Sequence, residues 1–324
     1  MIATKGEKNR GVTLIELMIV LVIAAVLVAG IYTLFMTQQR SYTVQDQVAG
    51  AQQDARVALD VVARDIRMAG AMIGAGDASG FTDGTFFFPV GSYYFAVVSV
   101  VNNDSDSGNN CMDGTDAIGI VYAEKELGLI TNDPPTNPLQ LDQTFDCPVS
   151  ASLFVTSEMH AGKVFQASCT PGNTNQLTVT NFPASGFIKN EKVFAVNAVE
   201  YRVGRTNTPS DSYFVLRRNG DALIGDNNLP IVEDLQIAYQ LAGSNDWIYD
   251  QAGDSWPAGK NSADIRMVRI NITVRTAVQD AAVQDASLSA QFNQPELEDH
   301  TAGLNGPDGF RRRVYTTVVK VRNL

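Results

Sequence analysis

Residues 12–36 form an apolar run that contains one charged residue, Glu16. A helix rises about 1.5 Å per residue, so this run is long enough to cross the ~30 Å hydrocarbon core of a bilayer. A carboxylate in such a segment costs roughly 2.5–3.5 kcal/mol near the bilayer centre, and residues of this kind usually have a partner or a function. The pattern predicts a membrane-spanning helix with Glu16 as its first candidate functional residue.

Beyond residue 36 the helical pattern continues with apolar residues on one side only. They recur every three or four positions, as on one face of an amphipathic helix. This face comprises Val44, Val48, Ala51, Ala55, Leu59, Val62, Ile66 and Ala69, and the opposite, solvated face is marked by Arg56, Asp60, Arg64 and Arg67. No proline interrupts residues 12–69, and Gly70 follows as a stop signal. One continuous helix is predicted, whose second half packs on a folded head.

From residue 81 onward, β-branched and aromatic residues alternate or cluster between Asn, Asp, Gly and Pro, which is typical of strands and turns. In the clearest strand, Val268, Ile270, Ile272 and Val274 alternate with polar residues. Strands are predicted at residues 93–101, 117–122, 153–156, 163–167, 176–179, 193–203, 213–218, 231–241, 265–276 and 311–321. Because no second long helical pattern appears, the sheet should be mainly antiparallel and the fold class α+β.

The residues before the apolar run indicate its orientation. Residues 1–11 carry three bases against one acid, so this flank is expected in the cytoplasm. A secretory signal has an apolar region of about 7–15 residues followed by a small-residue cleavage site. Here the apolar run is longer and the small residue, Gly11, precedes it. Cleavage after Gly11 would leave the helix on the mature chain, with Val12 as its N-terminus.

Size and charge limit the classes of function. The 324 residues, 45% of them hydrophobic, suffice for an anchored helix and a sizeable head. The expected division is a leader at 1–11, a membrane or fibre-core half-helix at 12–36, an amphipathic half-helix at 37–70 and a β-rich head at 71–324. The net charge is −11, and loss of a leader with three bases and one acid leaves −11 − 2 = −13. This balance excludes bulk nucleic-acid binding.

Three cysteines lie in the part expected outside the cytoplasm, which favours one disulfide and one remaining thiol. The predicted strands at 153–156 and 163–167 form a hairpin, and Cys147 and Cys169 lie almost equidistant from its tip. They are the preferred pair, although Cys111 could replace either of them.

Little in the sequence points to catalysis or to a metal. The two histidines, His160 and His300, have no nucleophile or metal-spaced partner nearby. Residues 102–110 offer oxygen ligands, with Asp104 and Asp106 as weak calcium candidates, but the spacing does not match an EF-hand loop. We therefore expect no enzyme activity, no cofactor and no metal. The basic residues 311–313 could contact an anionic surface or nucleic acid, but exposed charge that discourages strand pairing is the preferred interpretation.

The N-terminus resembles the type III signal of prepilins, in which a peptidase cuts after the glycine and methylates the new N-terminus. Gly11 matches the residue before the cut and Glu16 matches the acid at the fifth mature position. Val12 departs from the phenylalanine that is most common there. The resemblance implies cleavage between Gly11 and Val12.

Further segments resemble the PilW family of type IV pilus minor pilins, namely residues 58–70, 113–122, 232–239 and 311–322. This resemblance implies a pilin-like fold, in which the second half of the long helix packs on an antiparallel sheet. It also implies a minor pilin that primes fibre assembly, at the tip rather than as the bulk subunit.

Two classes of function are therefore open. The first is a minor pilin, with a type II secretion pseudopilin as a close variant. The second is a single-span anchored periplasmic domain that binds a ligand or does chemistry and never leaves the membrane. The partners expected for the pilin class are other minor and major pilins, the prepilin peptidase and the inner-membrane assembly platform. A tip adhesin is a further candidate partner. The pilin class also implies an inner-membrane precursor with its head in the periplasm, and then a pilus at the cell surface.

Glu16 has a specific predicted role in the pilin class. A carboxylate that enters a bundle of like helices needs a cation, and the nearest one after cleavage is the new amino group of Val12. The better geometry is offered by a neighbouring subunit, so this pair is expected to recruit the subunit and to fix its register.

Overall fold

The structure is a computed structural model that describes residues 12–71, 88–90, 93–95, 98–104, 114–150, 152–158, 164–180, 186–205, 214–224, 231–249, 264–276 and 309–322. Its contacts divide the chain into two compact units, Met1–Ala49 and Gly50–Leu324. The segment boundaries expected from the sequence at residues 36 and 70 stay predictions.

One long helix dominates the N-terminal part. Helix α1 spans Leu14–Met68, 55 residues without a proline. It ends before Gly70, whose φ of 71° lies in the left-handed region that glycine adopts without a Cβ clash. The Gly70 N–H donates to the Val121 carbonyl at 2.9 Å, which ties the end of the helix to the neighbouring strand.

The strands of the described residues form three sheets. They are β1 Phe88–Val90, β2 Tyr93–Phe95, β3 Val98–Asp104, β4 Thr115–Leu129, β5 Leu139–Cys147, β6 Ser152–Ser157, β7 Phe165–Ser168, β8 Gly172–Val179, β9 Lys192–Arg205, β10 Phe214–Arg218, β11 Asp221–Ile224, β12 Ile231–Leu241, β13 Ile265–Arg275 and β14 Arg312–Lys320. Strands β1 and β2 pair alone, β3 to β11 form a nine-stranded sheet, and β12, β13 and β14 form a three-stranded sheet.

Strand β9 organises the larger sheet because its 14 residues pair with three neighbours, β4, β6 and β10. The other sheet has the order β12-β13-β14. All of these pairings are antiparallel. The predicted α+β class, a long N-terminal helix with a mainly antiparallel sheet, is confirmed.

The main core lies between the second half of α1 and both larger sheets. The helix buries a face that includes Ala55, Val62 and Ile66, each with no exposed surface. The same cluster contains residues of β4 and β9 and of β12 and β13. A second cluster, around β5, β8 and Cys147, forms a smaller core within the same unit.

The predicted strands agree with the structure where the apolar alternation is regular. The strand predicted at 231–241 has the same bounds as β12, and the predicted hairpin is the antiparallel pair β6 and β7. The predictions missed β1, β5 and β11. In β5 the register shifts between Gln140 and Phe145, so three exposed residues in a row break the period of two. Strand β11 has only four residues, too few to show a period.

The interpretation of residues 311–313 as exposed charge is wrong for one of them. Arg311 and Arg313 are exposed, but the side chain of Arg312 is only 4% exposed and pairs with Glu233. Its Nε and Nη2 donate to the two carboxylate oxygens of Glu233 at 2.5 and 2.9 Å. The difference arises because a bulge at Glu233 in β12 places a buried carboxylate within reach of β14.

Candidate assembly site on the N-terminal helix

The apolar run forms a helix whose surface is open on all sides. Its large apolar side chains from Val12 to Phe35 are 54–77% exposed. A continuous apolar surface of this size requires a membrane or apolar partners. Within the described part of the chain, α1 is the one helix long and apolar enough to cross a membrane. Its length and composition therefore favour membrane anchoring.

Thr13 and Glu16 form a reciprocal cap at the start of this helix. The Glu16 Oε2 atom accepts hydrogen bonds from the Thr13 backbone N–H at 2.9 Å and from the Thr13 hydroxyl at 3.0 Å. In return, the Glu16 N–H donates to Thr13 Oγ1 at 3.3 Å. This arrangement is a capping box, which satisfies N–H groups that the first helical turn leaves without partners.

The capping box gives Glu16 a partner that the sequence reasoning missed. The signal was present as Thr13-x-x-Glu16 directly before an apolar run. Both side chains are exposed, so Glu16 remains accessible to a second group. Gly11 lies outside the described residues, and both the cleavage between Gly11 and Val12 and the assembly role of Glu16 remain predictions.

A buried polar cluster fixes the second half of α1 to the large sheet. Asp65 is 1% exposed, and its Oδ2 accepts hydrogen bonds from the Tyr201 hydroxyl at 2.7 Å and from Arg218 Nη2 at 3.0 Å. Arg218 Nε also donates to the Tyr201 oxygen at 3.1 Å. Tyr201 and Arg218 are directly opposite each other on β9 and β10. These contacts fix Asp65 of the helix next to the cross-strand pair of Tyr201 and Arg218.

The surroundings shift the pKa values of Tyr201 and Arg218 in this cluster. Burial and the hydrogen bond to Asp65 raise the pKa of Tyr201 above its ordinary value. Burial alone would lower the pKa of Arg218, but its hydrogen bonds to Tyr201 and Asp65 outweigh burial and raise that pKa. The cluster therefore holds a neutral tyrosine and a charged arginine at neutral pH.

The predicted apolar face of the helix did not include Asp65, although the spacing of the neighbouring residues indicates that Asp65 is buried. Asp65 lies three residues after Val62 and seven after Ala58, both of which are buried. An acid at such a position lies on the buried face and requires a donor inside the head. Neither Tyr201 nor Arg218 could be identified as that donor from spacing, because they lie 136 and 153 residues away. The predicted solvated face is confirmed, since Arg56, Asp60, Arg64 and Arg67 are exposed.

The cysteines and the metal candidates lie elsewhere. Cys147 and Cys169 are joined by a disulfide between the end of β5 and the residue after β7. Cys111, Asp106, His160 and His300 lie outside the described residues, and for Asp104 only its backbone position at the end of β3 is described. In the described ranges, no group of three or more His, Cys, Asp or Glu side chains could hold a metal ion.

Comparison with known proteins identifies a motif at the N-terminus. Residues 7–32 match the prokaryotic N-terminal methylation motif. No curated protein and no solved structure matches the chain. The matched residues include Gly11, Val12, the Thr13–Glu16 cap and most of the exposed apolar helix. The motif favours a structural, non-enzymatic protein, and together with the apolar helix it supports a type IV pilin-like prepilin.

Proposed function

We propose that the chain is a minor pilin of a type IV pilus. A prepilin peptidase removes residues 1–11 and methylates Val12, and the exposed apolar helix then inserts into the fibre core. The observation that carries the proposal is the methylation motif at residues 7–32 on a helix whose apolar side chains are open on all sides.

The finer parts of the proposal rest on the resemblance of the head segments to the PilW family. On that basis the subunit primes assembly at the fibre tip, next to other minor pilins and above the major pilins. Before assembly it stands in the inner membrane, with its head in the periplasm and its N-terminus at the assembly platform. A tip adhesin would be a further partner.

Two alternatives differ in what happens after membrane insertion. A pseudopilin of a type II secretion system would share the motif and the helix but would not appear in surface pili. An anchored periplasmic binding domain would keep its leader. The resemblance of residues 232–239 and 311–322 to the PilW family favours the pilus.

N-terminal processing tests the proposal. Intact and N-terminal mass spectrometry of the membrane-extracted chain should find methylated Val12 as the first residue. Gly11→Val should block this cleavage, because a branched side chain replaces the small residue before the cut, whereas Gly6→Val serves as a control within the leader. A wild-type chain that begins at Met1, or a normal mature mass for Gly11→Val, would contradict the prepilin assignment.

A further inference from the structure

Strand β14 has an outer edge on which none of the described strands pairs. Among the described residues β14 pairs with β13 alone. Thr276 N–H donates to the Arg311 carbonyl and Val321 N–H donates to the Arg266 carbonyl. Hydrogen-bonded pairs alternate in an antiparallel ladder, so the odd-numbered residues from 311 to 321 direct their amides toward β13. Val314, Thr316, Val318 and Lys320 therefore direct their N–H and C=O groups to the outer edge.

The side chains along this edge suit a further strand. Val314 and Val318 are 36% and 48% exposed, and Thr316 between them is also exposed. Val319 and Val321 are buried in the main core, which anchors the strand from its other face. A row of outward amides beside β-branched side chains is the template that strand addition uses.

The charge of the residues around β14 indicates what kind of strand would pair with its outer edge. Residues 309–322 contain five bases and no acid, in a chain with a net charge of −11. Arg312 is paired with Glu233, whereas Arg313, Lys320 and Arg322 are exposed. A second copy of β14 would bring bases close to bases, which is unfavourable, whereas acidic residues across the pair would be favourable.

We propose that the outer edge of β14 is a docking site for an extended acidic segment of a partner protein, which adds as a fourth strand beside β14. Backbone hydrogen bonds to residues 314–320 hold the segment, and Arg313 and Lys320 select acids near its two ends. This site lies in the head and is distinct from the helix through which the chain is proposed to enter a fibre.

Two peptides and two edge variants test the proposal on the full-length chain in detergent. The probe is a fluorescent eight-residue peptide of alternating valine and threonine with glutamate at both ends, so that one glutamate lies on the face of Arg313 and the other on the face of Lys320, and its counterpart has lysine at both ends. We expect the glutamate peptide to bind at least about tenfold more tightly. Thr316→Pro removes an outward N–H but no backbone hydrogen bond to β13, so it should weaken binding about fivefold or more. Thr316→Ala should stay within about twofold, and it is the matched control because both variants lose the hydrogen bond from the Thr316 hydroxyl to Asn271 Oδ1 in β13.

Charge reversal provides a test that does not depend on the proline variant. Arg313→Glu combined with Lys320→Glu should make the lysine peptide the tighter ligand, at two exposed positions where folding is little affected. Failure of the glutamate peptide to bind, equal binding of both peptides, or an unchanged preference after charge reversal would overturn the proposal. Dimerisation of the wild-type chain that Thr316→Pro abolishes would also overturn it, because the occupant would then be a second copy.

Discussion

Asp65 connects the second half of α1 to two strands of the head through buried hydrogen bonds. A carboxylate buried without donors is costly, and here Tyr201 and Arg218 supply them from adjacent strands. A buried ion pair contributes little net stability compared with an apolar replacement, but the loss of one partner is strongly destabilising. We therefore expect the cluster to specify the register of the helix on the sheet more than to add net stability.

Removal of the Asp65 carboxylate should destabilise the head. We expect Asp65→Ala to lower the free energy of unfolding by about 2–3 kcal/mol, below the range for a fully buried pair because Arg218 is partly exposed and water can solvate it. Asp60→Ala, on the exposed face of the same helix, should change it by less than about 0.5 kcal/mol. Urea unfolding measures both, and equal effects would contradict the role of Asp65.

Tyr201 should make the head sensitive to alkaline pH. Its pKa in the folded state is raised above the value of about 10 in an unfolded chain. The stability that Tyr201 contributes is therefore fully present below pH ~10 and is lost as the pH rises toward the pKa of the folded state. In this pH range the unfolded chain releases the tyrosine proton and the folded chain does not, so unfolding becomes more favourable. Burial also raises the pKa of Tyr239, to about 12, so more than one tyrosine contributes.

Melting temperatures between pH 8 and pH 11.5 test this dependence. The melting temperature of the wild-type chain should stay constant up to about pH 9.5 and then fall. The melting temperature of Tyr201→Phe should fall less steeply, because phenylalanine does not titrate. Tyr249→Phe, at an exposed residue, is the matched control and should follow the wild type. An alkaline loss in Tyr201→Phe as steep as in the wild type would exclude Tyr201 as a source.

At the scale of elements, the Glu16 side chain at the start of α1 forms a cap and is also proposed to pair with a neighbouring subunit. Glu16 caps the helix through Thr13, and the proposed assembly step would use the same carboxylate to bind the Val12 amine of a neighbour. A glutamine at this position of a capping box can still accept the backbone hydrogen bond, but it carries no charge. The two roles can therefore be separated by substitution.

Filament incorporation of the cleaved Glu16 and Thr13 variants separates capping from charge pairing. Glu16→Gln and Glu16→Val should both insert in the membrane, and their incorporation should fall at least about tenfold because the amine loses its charged partner. Thr13→Val removes the cap at a cost of about 1 kcal/mol but keeps the charge, so it should incorporate nearly as well as the wild type. Normal incorporation of Glu16→Gln together with a loss for Thr13→Val would assign Glu16 to capping alone.

The elements that the sequence predicted well are those whose pattern is local. Strand β12 and the exposed face of α1 follow from apolar spacing. The cap formed by Thr13 and Glu16 was missed, although its signal is also local. Strand β5 was missed because its bulge interrupts the alternation. Arg312 was misinterpreted because its partner, Glu233, is 79 residues away in sequence.

At the scale of the whole molecule, the chain is a β-rich head that carries a long apolar helix with a processing motif at its start. The class of the fold and the N-terminal helix with its methylation motif were predictable, because a helix of this length and its preceding glycine form a continuous pattern. The Asp65 cluster and the basic edge of β14 were not predictable, because both depend on which distant strands become neighbours.

The most direct test of the proposed function is the form of the chain in surface filaments. Filaments sheared from cells that make the chain at its native level should be separated from membranes, and the N-terminal peptide should be quantified in both fractions by mass spectrometry. We expect the filament fraction to contain the chain at low abundance relative to the major subunit, with methylated Val12 as its first residue and no peptide from residues 1–11. A processed chain confined to the membrane fraction while filaments assemble normally would contradict a role as a pilus subunit.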